Sequence, residues 1–257
     1  MANSVRPTFS WEFSISTFDA GQDRRLKPSS QLRLQQEVGE RHLAEAGLGY
    51  QELYRQGMAF LLTRMNSRIL RAPQLDERVT LRTWHRDTRG VQFFRCYQFL
   101  DERGELLIDS VTAFALVDVE SHRLLRPDVF ERFGLNEQPE RRSTCPDPAK
   151  WKAPSPLEPA GERPVRWSDI DYNGHINNAV YADIACDALP GGMAGRRATG
   201  LSIAFLHEAV EGETLTLATA VQPADGECER WVVGEHPDGR RCFEAVLRTV
   251  DEAAAKG

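Results

Sequence analysis

Between Asp169 and Tyr181 the chain reads DIDYNGHINNAVY, gathering two aspartates, three asparagines and a histidine ahead of a helical pattern. Asp171, Asn173 and His175 fall at every second position, so in an extended segment they share one face and converge before the helix N-terminus. A carboxylate, an amide and an imidazole so gathered can hold and activate a water. The unpaired backbone N–H groups and positive dipole end of the helix favour an anion or a carbonyl oxygen gaining charge. That combination suits acyl transfer or hydrolysis. Taken singly, the same residues have plainer explanations: Asp169, Asp171, Asn177 and Asn178 as caps or turn residues, and His175 as a hydrogen-bonded histidine.

Other chemistries fit less well. One histidine with one or two carboxylates is a poor zinc set. No G-x-S-x-G occurs, and Ser168 lies outside any nucleophile-elbow pattern, so a water-using route is favoured over a serine nucleophile. The five cysteines, Cys96, Cys145, Cys186, Cys228 and Cys242, are odd in number and widely spaced, with no C-x-x-C pair. They read as free packing thiols. No metal and no cofactor is expected.

The elements that position these residues follow a repeated plan. PSSQLRLQQEVGERHLAEA, residues 28–46, begins with a proline suited to a first helical turn, places Leu32, Leu34, Val38 and Leu43 among charges, and stops near Gly47. MAFLLTRMNSRIL and ERVTLRTWHR read as strands, and VQFFRCYQFL with ELLIDSVTAFALVDVE flank the turn DERG as an antiparallel hairpin. Residues 138–162, crowded with prolines and without apolar period, read as a linker crossing the surface. Beyond it come a helical stretch, INNAVYADIACDAL, then LSIAFLHEAV, ETLTLATAVQ, CERWVVGEH, the turn PDGR and CFEAVLRTVD. ERVTLRT and ETLTLAT stand about equally far before their hairpin turns, which points to an internal duplication. The expected organisation is α+β, each half a sheet burying the apolar face of one long helix, with domains at 1–137 and 163–257.

The chain of 257 residues carries a modest net charge of −6 with arginines scattered among acids, which favours no nucleic-acid partner. No apolar run approaches the roughly 20 residues needed to span a bilayer, and MANSVRPTFS lacks the apolar core of a secretory signal. A cytoplasmic protein with no membrane partner is expected.

The run WSDIDYNGHINNAVY resembles the signature of the acyl-ACP thioesterases of plant plastids and bacteria, approximately W-S-D-x-D-x-N-x-H-V-N-N-x-x-Y, departing in that core only at Ile176. RRLKPSSQLRLQQEVGERHLAEAG, followed by RVTLRTW and a hairpin, resembles the N-terminal half of the same family, so the likeness spans nearly the whole chain. The resemblance implies a double hotdog fold, two tandem hotdog domains each with an antiparallel sheet around a long helix. It implies hydrolysis of fatty acyl thioesters on acyl carrier protein, giving free fatty acid and the carrier thiol. It assigns catalytic function to Asp171, Asn173 and His175, with a glutamate on the next strand matching Glu208 in LSIAFLHEAV. His175 and Glu208 would activate water or relay a proton, Asn173 would stabilise the oxyanion, and Asp171 would orient the imidazole or act as nucleophile. Where many plant members carry a cysteine, this chain has Ala209, which argues against an obligatory thiol.

Laying RRLKP on GHINN sets Asp23 opposite Asn173 and Arg25 opposite His175, so one active site is expected. The N-terminal hotdog would hold the acyl chain near residues such as Leu34, Met58, Phe60 and Met65. Arg166, Arg196 and Arg197 are candidates for docking the acidic carrier protein, or ordinary solvated charges. Other functions on this fold are non-catalytic acyl-thioester binding, acyl-CoA hydrolysis and dehydration of a 3-hydroxyacyl substrate. The tandem pair also leaves room for a homodimer.

Overall fold

A computed structural model describes residues 5–252 of the chain. It divides into two compact units, Met1–Pro148 and Ala149–Gly257. Helix α1 (Pro28–Ala44) starts with its proline in the first turn, where the missing N–H costs no helical bond. Past its end, Gly47 takes the left-handed conformation (φ 77°) and donates its N–H to Ala44 O. Leu32, Leu34, Val38 and Leu43 are buried, as their spacing predicts.

The first unit contains strands β1 (Phe9–Ser14), β2 (Met58–Ile69), β3 (Arg78–Arg89), β4 (Gln92–Leu100) and β5 (Leu106–Asp118), with short helices α2 (Tyr50–Arg55) and α3 (Asp128–Glu131). The second contains β6 (Glu158–Pro164), a 3-10 turn at Trp167–Asp169, α4 (Val180–Ala188), β7 (Arg196–Phe205), β8 (Thr214–Ala224), β9 (Glu227–Glu235) and β10 (Arg241–Asp251). Strand order is β1-β3-β4-β5-β2 in the first and β6-β8-β9-β10-β7 in the second, in both cases first, third, fourth, fifth, second along the chain. The pairs within each unit are antiparallel. The two halves share one topology, which carries the duplication beyond sequence spacing.

Three expectations need correction. Each unit opens on an edge strand ahead of its helix. β6 lies partly inside the stretch read as linker; two prolines and a glycine hide it, and such residues are tolerated where a strand has a neighbour on one side only. The rest of that stretch is not a solvated tether. Gln138 N–H donates to His85 O, the Trp84 indole N–H to Arg141 O, and the Thr144 N–H and hydroxyl both to Asp109. Cys145 packs with Trp84, Phe94, Cys96, Val111 and Ala113, whereas Trp151, Ala153 and Leu157 pack on Trp231, Val233 and Val246 of the second unit. Isolated apolar anchors without a period cover a sheet face as a strap. Finally, α4 has only nine residues, shorter than the helix expected there.

The faces of the first unit are chemically unlike. The strap covers an apolar face, while the face toward α1 carries a buried polar network. Gln31 and Gln35 of α1 donate to Ser67 and Ser110, and Arg95 bonds His42, Thr83 and His85. At the other end of α1, Met58, Leu43, Leu53 and Phe93 form an apolar cluster with Phe130 of α3, against which Phe60 packs edge-on. In the second unit α4 is apolar: Val180, Tyr181, Ala182, Ile184 and Ala185 are buried, and the Tyr181 ring lies 5.0 Å from that of Phe243. Gly234 of β9 makes this packing feasible, since a Cβ there would stand 2.3 Å from the Phe243 ring.

Candidate active site

The residues from Trp167 to His175 do not form the extended segment that their alternation suggests. After the 3-10 turn the chain folds back on itself, Ile170 bridging Ile176. Asp171 N–H donates to His175 O at 3.0 Å and Gly174 N–H to Asp171 O at 3.0 Å. Gly174 has φ 85°, a conformation that costs glycine least. The Asp171 carboxylate accepts the Asn173 N–H at 2.8 Å, an Asx turn. A tight turn, rather than strand alternation, therefore groups Asp171, Asn173 and His175 within five residues.

Asp169 anchors this turn. Its side chain accepts Arg163 at 2.7 Å and the Arg166 N–H at 2.9 Å, and its carbonyl accepts the Asn177 N–H. Burial raises its pKa, but those two hydrogen bonds prevail and hold the carboxyl below its ordinary range. Asn177 marks the helix entrance: its side-chain oxygen accepts the Ala179 N–H and its carbonyl the Val180 N–H. Those two donors at the helix N-terminus are thus already engaged, which the reading of unpaired N–H groups there did not anticipate.

Glu208 lies three residues beyond the end of β7, in the loop 206–213, and not on the strand. The Ile176 N–H donates to Ala209 O at 2.9 Å, which sets the residues following His175 and Glu208 side by side. His175 Nε2 stands 3.7 Å from Glu208 Oε1, and Nδ1 lies 3.3 Å from the Ile176 carbonyl. The first distance exceeds a direct hydrogen bond. Both ring nitrogens face oxygens of residues other than Asp171. The Asp171 carboxylate is instead the acceptor of the Asn173 N–H within the turn.

Beneath the loop lie Tyr181 and Cys242, to which the sequence reading gives no part in the site. Leu206 and His207 N–H groups donate to Cys242 O, the Cys242 thiol to His207 O at 3.1 Å, and the Tyr181 hydroxyl is 3.4 Å from that thiol. Burial pushes Cys242 up to about 11 and Tyr181 above its ordinary range. Tyr181 closes the WSDIDYNGHINNAVY run and Cys242 has no motif; only the fold brings the two together near Glu208. All five cysteines are free thiols, and burial likewise pushes Cys96 and Cys186 up to about 12.

The first unit repeats this architecture with different side chains. Gly21 N–H donates to Arg25 O, Arg24 N–H to Gly21 O and Lys27 N–H to Asp19 O, bond for bond the pattern around Asp171. Arg24, at φ 63°, occupies the place of Gly174. Leu26 N–H donates to Pro73 O as Ile176 does to Ala209 O. The correspondence sets Gly21, Asp23, Arg25 and Ala72 in place of Asp171, Asn173, His175 and Glu208.

Of the arginines considered for docking, Arg196 is tied to the Pro190 and Gly192 carbonyls and Arg197 lies 3.5 Å from Glu252; Arg166 is exposed. Among the described residues no group of three or more His, Cys, Asp or Glu side chains is arranged to hold a metal ion.

The Acyl-ACP thioesterase N-terminal domain matches residues 6–131, and the Acyl-ACP thioesterase C-terminal domain matches residues 159–239. The chain belongs to the acyl-ACP thioesterase family. It is 23% identical over 232 residues to a chloroplastic acyl-[acyl-carrier-protein] hydrolase of Cuphea viscosissima, covering 84% of this chain and 56% of that protein. A chloroplastic palmitoyl-acyl carrier protein thioesterase of Arabidopsis thaliana is 24% identical over 237 residues, with the same 84% and 56% coverage. The chain thus spans just over half the length of the curated relatives it matches. Its fold is similar to that of the 12:0-ACP thioesterase from Umbellularia californica, with TM-score 0.79 at 17% identity over 96% of this chain and 98% of that one. This acyl-ACP thioesterase family member has the double hotdog fold, and both family domains lie on the repeated units described above.

Proposed function

We propose that the chain hydrolyses fatty acyl thioesters of acyl carrier protein, releasing a free fatty acid and the carrier thiol. The observation that carries this reading is the His175–Glu208 pair beside the Asp171–His175 turn, present in the second unit alone, within a chain that belongs to the acyl-ACP thioesterase family.

In this reading the Asp171 carboxylate is the nucleophile, supported by the Ile176 carbonyl and Glu208 being the oxygens nearest the imidazole nitrogens. Its attack on the thioester carbonyl forms a mixed anhydride as the C–S bond breaks, and the departing thiolate takes a proton from the His175 imidazolium. His175, paired with Glu208, then deprotonates a water that adds to the anhydride, restoring the Asp171 carboxylate and freeing the fatty acid. The Asn173 carboxamide stabilises the oxyanion, a contribution of about 3 to 4 kcal/mol for one well-placed donor. With half-buried Asp171 and His175 and an exposed Glu208, the site is open to a carrier-borne thioester. Acyl carrier protein is the proposed partner and the N-terminal unit the proposed holder of the acyl chain.

The test is thiol release from acyl-ACP by wild type, His175→Ala and Asp171→Asn. The asparagine keeps an acceptor for the Asn173 N–H, so the turn survives while the nucleophile is lost. A fall of about 1,000-fold is expected in both variants. Undiminished turnover would remove these residues from the mechanism.

A further inference from the structure

The loop 206–213 ends in a turn that closes on itself. The Glu213 N–H donates to Val210 O, the Glu213 carboxylate accepts the Val210 N–H at 3.0 Å, the Gly212 N–H donates to Val165 O, and the Val165 N–H donates to Glu213 O at 2.8 Å. Under this turn, His236 of the β9–β10 hairpin is almost wholly buried. Its Nδ1 lies 3.5 Å from Glu213 Oε2, and its ring meets that of His207 edge-on at 6.5 Å.

The first unit has the same turn. The Glu77 carboxylate accepts the Gln74 N–H at 2.8 Å, the Asp76 N–H donates to Ile15 O, and the Ile15 N–H donates to Glu77 O. There the carboxylate is locked by a bidentate arginine, Arg71, at 2.6 and 2.8 Å. Backbone bonding sets His207 in the place of Arg71, since Arg71 N–H donates to Leu107 O as His207 N–H does to Cys242 O. In the copy that carries the chemistry, His236 faces the turn glutamate instead of an arginine.

We infer that Glu213, whose carboxylate accepts the Val210 N–H beside the buried His236 ring, is the positioning residue that presents Glu208 to His175. The Glu213 carboxylate fixes the C-terminal end of the loop, Cys242 and Tyr181 fix its start, and Glu208 sits between them, joined to His175 through the Ala209–Ile176 bond. The inference rests on the proposed thioesterase reading, because it is by way of Glu208 that Glu213 would affect turnover. A displacement of about 1 Å at a reacting group can cost 100-fold. Losing this tether therefore shows in kcat.

The experiment measures thiol release from acyl-ACP by Glu213→Ala, Glu213→Gln, Glu208→Gln and the double variant Glu208→Gln/Glu213→Ala. Thermal melts confirm folding. Expected are a 10- to 100-fold fall in kcat for Glu213→Ala with KM within about threefold, recovery in Glu213→Gln, which keeps the acceptor, and a further loss below about threefold in the Glu208→Gln background. Unchanged kcat in Glu213→Ala, or the same fall with and without Glu208, overturns the inference. Amide hydrogen exchange of residues 206–213 reads the tether without substrate and so separates it from the activity itself. Exchange at least tenfold faster in Glu213→Ala supports the inference even for a chain that releases no thiol, and unchanged exchange contradicts it.

Discussion

Acid should loosen the N-terminal unit through one histidine. His42, with no exposed surface, places Nε2 against the Arg6 carbonyl and Nδ1 against Arg95. Burial first, and the neighbouring guanidinium second, push its pKa from 6.5 to about 4. A group that resists protonation only when folded contributes stability above its unfolded pKa, and that contribution is lost as pH falls toward the folded value. The window runs from about pH 6.5 down to about pH 4, and the linkage amounts to about 2.5 kcal/mol already at pH 4.5. Urea unfolding followed by far-ultraviolet circular dichroism from pH 7.5 to 4.5 measures it in wild type and His42→Gln. The variant starts less stable, having lost well-placed contacts, but its stability should fall less steeply with acid, by up to about 1.4 kcal/mol per pH unit. His85, also held below its ordinary value by burial and Arg95, keeps some acid sensitivity in both proteins. Parallel stability curves for the two would refute the assignment of a neutral buried His42.

Gly234→Ala should cost about 1 to 3 kcal/mol, read as a lower melting temperature, because its Cβ would stand 2.3 Å from the ring of the fully buried Phe243, which has no room to retreat. Asp147→Ala should destabilise by about 2 kcal/mol in urea unfolding, since buried Arg86 would lose two hydrogen bonds and keep Asp87 alone as its carboxylate partner. Iodoacetamide at pH 8 should leave the proposed release of thiol from acyl-ACP largely intact, because burial pushes Cys242 up to about 11 and it donates to His207 O; rapid loss of thiol release matched to one alkylated thiol would contradict this.

What was legible in the sequence was what local physics dictates. Proline and glycine bound α1, the apolar spacing of Leu32, Leu34, Val38 and Leu43 names its buried face, and Asp101 with Gly104 closes its hairpin as Asp238 with Gly239 closes the other. The spacing of ERVTLRT and ETLTLAT exposed a repeat that extends to matched hydrogen bonds at Glu77 and Glu213. What stayed hidden depends on contacts distant in sequence. β6 reads as linker because its prolines are acceptable on an edge, and Trp151 and Cys145 are single anchors with no period to betray them. The polar interior facing α1 could not be foreseen from a helix whose glutamines look solvent-facing by type. At the site, the alternation of Asp171, Asn173 and His175 suggests a strand, whereas Gly174 permits the turn that groups them. Glu208 lies beyond a strand that ends at Phe205, and Glu213 and His236 carry no sequence signal because their proximity exists only once the β7–β8 crossover loop meets the β9–β10 hairpin.

The most direct test of the account is single-turnover release of carrier thiol from acyl-ACP by wild type beside Asp171→Asn and His175→Ala, with folding checked by circular dichroism. The account predicts rapid release by wild type and a loss of about 1,000-fold in each variant. Wild-type rates in both variants, or tight binding of acyl-ACP by wild type without release of thiol, would contradict it.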